Sequence, residues 1–260
     1  MRSLLSRRAG PWAFLLLSAI VGAAALLAPR GDLPPSYHHF ADQRTWLAIP
    51  HFGDVASNVV YLIVGLWGLV FLSSESGPGQ FVDARERWPY FLVFFGLLLT
   101  ALGSAYYHLA PDNDRLVWDR VPMTIVFMPL VSGLIAERVS VKVGLWLLPL
   151  LTAVGVASVI QWHLSVQRGA GDLRFFGAVQ LFAVLALLVV MLLPPLYTRG
   201  SDLLVVAGLY VLAKICELAD RQIFSIGHIV SGHTLKHVVS GLAGFWILRM
   251  LRKRQAIPAY

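Results

Sequence analysis

The sequence predicts an all-α integral membrane protein: a seven-transmembrane-helix core bundle preceded by an additional N-terminal hydrophobic helix or signal anchor. Three observations lead there. Mean hydropathy is +0.70, 57% of residues are hydrophobic and only 13% are charged, which lies outside the soluble globular range. Apolar windows of about 18 residues or more, the length that crosses a hydrocarbon layer of roughly 30 Å, recur at 12–29, 55–72, 90–108, 119–136, 143–162, 175–195, 203–219 and 230–250. None alternates with the period of two that a membrane barrel strand needs.

The first window belongs to residues 1–29. "MRSLLSRRAG" followed by "PWAFLLLSAIVGAAALLA" has a basic start, an apolar middle and small residues before the break. That is the layout of a signal peptide, but the apolar run is long for one, so a retained helix or signal anchor is expected. Residues 30–260 then form the seven-helix membrane domain, with no room for a separate soluble domain. Trp12, Trp88, Tyr90 and Trp118 near segment ends fit an interfacial aromatic belt.

Positive residues favour the cytoplasmic side. With the N-terminus inside, the cytoplasmic connections hold 12 Lys and Arg residues, counting Arg2, Arg7 and the tail "RMLRKRQ", against 6 outside, among them Arg44, Arg115 and Arg174. Both termini are therefore expected in the cytoplasm, with the basic tail against anionic headgroups. The net charge of +7 follows from this topology and calls for no nucleic-acid partner. The lone Cys216 permits no internal disulfide.

Within this topology the costly polar residues gather at the outer side. The segment 90–108 ends in "GSAYYHLAPDND", with Ser104 and His108 on one face; "WDRVPMT" brings Asp119 in at the start of the next. The last segment opens with "HTLKH", so His233 and His237 share a face at the same depth. Three neutral imidazoles leave a fourth tetrahedral position open, the arrangement of catalytic zinc, and nitrogen ligands favour Zn²⁺ over calcium or magnesium. Asp119 would orient a ligand or act as general base, and Ser104 would donate to developing charge on a substrate oxygen. Simple interhelical hydrogen bonding and axial heme ligation are rival readings of the histidines.

"GSAYYH", then Asp119 in "WDRVPM", then "HTLKH" before "VVSGLAGF" resembles the alkaline ceramidase family, seven-helix membrane hydrolases of a superfamily that also holds the adiponectin receptors. "GDVASNVVYLIVG", with Ser57 and Asn58, is similar to that family's first core helix. The resemblance covers roughly residues 40–250. It implies that His108, His233 and His237 bind zinc while Asp119 and Ser104 hold the attacking water and the substrate carbonyl. The implied reaction is hydrolysis of the N-acyl amide of a ceramide-like lipid, giving a fatty acid and a sphingoid-type base. The implied partners are that lipid and the bilayer, and the superfamily also allows a non-enzymatic zinc-containing receptor or regulator.

This chain departs from the family at Thr234, Leu235 and Lys236, where the ceramidases tend to carry bulky aromatics; Lys236 is expected to snorkel to the interface. The acidic calcium site of some members has only Asp42 and Asp54, with Gln43 and His51, as counterparts, so calcium is not expected. His228, Glu217 and Asp220 are candidates for supporting the histidines from behind. His38 and His39 are expected in a solvated loop, and "PDNDR", Pro111 to Arg115, in a turn.

Overall fold

The computed structural model describes residues 6, 8–74 and 79–258. Residues 1–5 of the expected anchor and Arg2 and Arg7 of the orientation count lie outside the described residues. Among those described, the chain is all-helical, without a strand: α1 (Gly10–Leu27), α2 (Phe52–Ala56), α3 (Val59–Ser73), α4 (Arg87–Leu109), α5 (Asn113–Arg138), α6 (Val141–Gln167), α7 (Arg174–Met191), α8 (Asp202–Leu218), α9 (Asp220–Ser225) and α10 (Gly232–Lys253). Among the described residues, six helical stretches are long and apolar enough to cross a membrane: α1, α2 with α3, α4, α5, α6 and α7. The 17 residues of α8, and α10 with His233, Lys236 and His237 in its first turns, occupy the two remaining windows without reaching that measure.

The helices form because these runs satisfy every backbone polar group internally, which an apolar surround demands. Leu16, Val70, Trp146, Val211 and Ile215 point outward, giving the bundle an apolar exterior. α1 packs chiefly on α7, burying Phe14, Leu17, Val21 and Ala25 from one stripe. α8 lies against α10 and makes little contact with α7. The main apolar core, with Phe94, Leu134, Val190 and Leu248, fills one half of the bundle; a smaller cluster of Phe40, Tyr107, Leu116 and Trp162 fills the other end.

The contact of α4 with α5 sets the site. Pro122 has no N–H to offer the carbonyl of Trp118 four residues earlier. That carbonyl lies against Gly103, where a Cβ would sit 1.9 Å from its oxygen. The next residue on each helix, Ser104 and Asp119, lines the same cavity. Gly103→Ala is expected to push α4 and α5 apart and lower stability by about 1–3 kcal/mol, the usual cost of overpacking; thermal unfolding in detergent measures it.

Three expectations change here. Asp112 caps α5, accepting from the Arg115 backbone N–H at 2.6 Å, so Asn113 to Arg115 form the first helical turn rather than a free turn. His38 is partly buried between the Tyr107 hydroxyl and Asn113 Oδ1, both at 2.9 Å, because the N-terminal loop folds back over the bundle. Tyr90 is fully buried and donates to Glu137 at 2.7 Å, so it is no part of an interfacial belt.

Candidate metal centre

α10 is started by two caps. Ser231 accepts from the Thr234 N–H at 3.0 Å, and Asp220 accepts from the His233 N–H at 2.7 Å. The other Asp220 oxygen accepts from the Ala41 N–H at 2.8 Å, tying the N-terminal loop to the same point. Asp54 is fully buried and accepts from Thr234 Oγ1 at 2.7 Å, fastening α2 beside α10. These contacts hold the first turns of α10 against the C-terminal end of α4.

His108, His233 and His237 meet there, all buried, with one nitrogen from each within 4.8 Å of the other two. The Nε2 atoms of His108 and His233 are 3.2 Å apart, close to the roughly 3.3 Å between two nitrogens on one tetrahedral zinc. Ser57 Oγ, 2.8 Å from Nδ1 of His237, fixes that ring, while Nε2 of His237 is buried with no hydrogen-bond partner. A buried nitrogen without a partner is costly, and a cation shared by three imidazoles removes that cost. Three buried histidines therefore lie close enough to hold a metal ion. A porphyrin plane does not fit between nitrogens 3.2 Å apart, so axial heme ligation gains no support.

Surrounding groups fix the rings. His51, held in the left-handed region at φ 47°, places Nδ1 3.0 Å from the carbonyl of His108. Phe40 roofs the site, its ring centre 4.7 Å from that of His108 and 4.4 Å from that of His233. Arg44 straps this loop down: it binds both oxygens of Asp42 and reaches the carbonyls of His228 and Ile229, the latter at 2.7 Å. Burial opposes ionisation of Asp42, but the hydrogen bonds and charge of Arg44 outweigh it and hold that carboxyl below its usual range.

Asp119 is 8% exposed and Ser104 1%, with Ser104 Oγ lacking a hydrogen-bond partner. Both line a cavity of about 360 Å³ that His237 also lines. From this polar end the cavity runs between α4, α5, α7, α8 and α10 along apolar side chains, including Leu97, Phe127, Leu130, Val184 and Leu188.

The supporting candidates divide. Asp220 reaches the backbone of His233, and Glu217 lines the cavity and pairs with Lys236 at 3.3 Å. His228 does not join them. Its backbone takes φ 54° and its exposed ring stacks edge-on with Phe224. Lys236 does not snorkel; Glu217 and Nε2 of His233, at 2.9 Å, hold it inward. Sequence reading assigned no role to Phe40, His51 or Ser57 in positioning the rings. Only Ser57, a polar residue at the mouth of an apolar run, carried any signal.

No protein-family model matches this chain, and a search of curated proteins gives no match.

Proposed function

We propose that the protein is a multi-pass membrane amidohydrolase of the alkaline ceramidase type, using zinc to cleave the N-acyl amide of ceramide-like lipids. In this reading α2 to α10 form the seven-helix core, α1 is an added helix, the C-terminus is cytoplasmic and the histidines lie near the extracytoplasmic face. The observation that carries it is the three-histidine cluster standing with Asp119 and Ser104 at the polar end of a long apolar cavity.

Polarisation of the scissile carbonyl and acidification of a water are what zinc supplies when bound by His108, His233 and His237. Asp119 takes the proton of the attacking water and delivers it to the leaving nitrogen as the C–N bond breaks. Ser104, with a free buried hydroxyl, donates to the carbonyl oxygen as charge builds there. The apolar cavity takes the acyl chain and keeps bulk water away.

Asp119→Asn keeps shape and removes the base, so it should cut turnover of N-acyl sphingolipids by about 10²–10⁴-fold while metal content and unfolding temperature hold. Zinc-loaded wild type that hydrolyses no N-acyl lipid would sink the amidase reading and leave a regulator with the same metal centre.

A further inference from the structure

At the polar end of the cavity, a row of charges crosses from α8 to α10. Lys214 Nζ lies 2.5 Å from Oε2 of Glu217, and Lys236 Nζ lies 3.3 Å from Oε1 of the same residue. One carboxylate thus serves two ammonium groups, and the tighter pair belongs to Lys214. The second contact of Lys236 is a neutral imidazole nitrogen, Nε2 of His233 at 2.9 Å, an atom that a metal on the three histidines would take. The Lys236 side chain is 15% exposed, and Lys214, Glu217 and Lys236 all line the cavity. Asp119, the remaining carboxylate in that lining, comes from α5 and is engaged with the attacking water in the proposed reaction.

A half-paired ammonium in an apolar cavity is costly unless its ligand carries the missing charge. We propose that Lys236 forms a subsite for an anionic group on the amine side of the scissile amide. Besides neutral ceramide-like lipids, the substrates then include N-acyl amino acids: an acyl tail for the apolar cavity and a carboxylate one carbon from the amide nitrogen. The inference rests on the amidase reading for its chemistry. Water adds its hydroxyl to the acyl carbon, the C–N bond breaks, and the nitrogen takes the proton, releasing a fatty acid and an amino acid. A neutral N-acyl amide offers the ammonium only hydroxyl and carbonyl acceptors, whereas a carboxylate also supplies the opposite charge, which makes the stronger hydrogen bond.

The test compares N-palmitoylglycine with N-palmitoylethanolamine, which share the acyl chain and differ in the carboxylate. Equilibrium binding is measured by calorimetry on the detergent-purified full chain carrying Asp119→Asn, in which both probes stay intact. The glycine conjugate should bind at least tenfold tighter; adding Lys236→Gln should bring the two within about threefold, and Lys236→Arg should keep the preference. Equal binding of the probes before Lys236 is touched overturns the subsite, even if Lys236→Gln fails to fold. A preference that survives Lys236→Gln also overturns it. Turnover of both probes by wild type is read separately: a binding preference without cleavage keeps the subsite and overturns the amidase, whereas cleavage without a preference does the reverse.

Discussion

Replacing His237 or His233 with alanine is expected to reduce the zinc of the proposed centre from about one per chain to background, as elemental analysis of detergent-purified protein will show. Each imidazole supplies one of three nitrogens, and no fourth His or Cys joins the cluster among the described residues. Two remaining imidazoles hold zinc far more weakly than three, so dialysis clears the variant. Ser57→Ala tests the same site more gently. It removes the hydroxyl 2.8 Å from Nδ1 of His237 and frees that ring, which should weaken metal binding by about 10–100-fold. Zinc that persists at full stoichiometry in either His→Ala variant would dismantle the three-histidine centre.

The second large effect lies at the opposite end of the bundle. Arg254 is 2% exposed, pairs with Glu137, donates to the Gln80 carbonyl at 2.8 Å and stacks over Tyr197 with its guanidinium carbon 4.0 Å from the ring centre. Glu86, fully buried, accepts from the Tyr197 hydroxyl beside it. Arg254→Met leaves these carboxylates without their cation and should lower unfolding free energy in denaturant by about 3–5 kcal/mol. Adding Glu137→Leu removes the stranded charge and should recover at least half of that loss. A double variant as unstable as the single one would show that Arg254 acts through packing alone.

Arg254 also marks where the sequence stopped being legible. The basic tail reads as headgroup contact, and Arg252 and Lys253 are exposed in that manner. One residue further the helix ends, the backbone becomes extended at φ −76°, ψ 158°, and the side chain turns back under the bundle. Hydropathy shows where helices run, because the membrane penalises unsatisfied backbone, and all eight apolar windows are helical. Spacing of four places His233 over His237 on any helix. Both are local facts. The contacts of Lys236 with Glu217, of Ser57 with His237 and of Asp220 with the start of α10 depend on which faces meet. No periodicity encodes that. α2 and α9, at 5 and 6 residues, are too short for any pattern to register.

His108 and His233 are separated by 125 residues along the chain. The ribosome makes the first ligand long before the second, and every helix from α5 to α9 must be in place before the two imidazoles can share an ion. In the proposed reading, assembly of the metal centre is thus a late event, since the three imidazoles meet only once α10 has packed against α4.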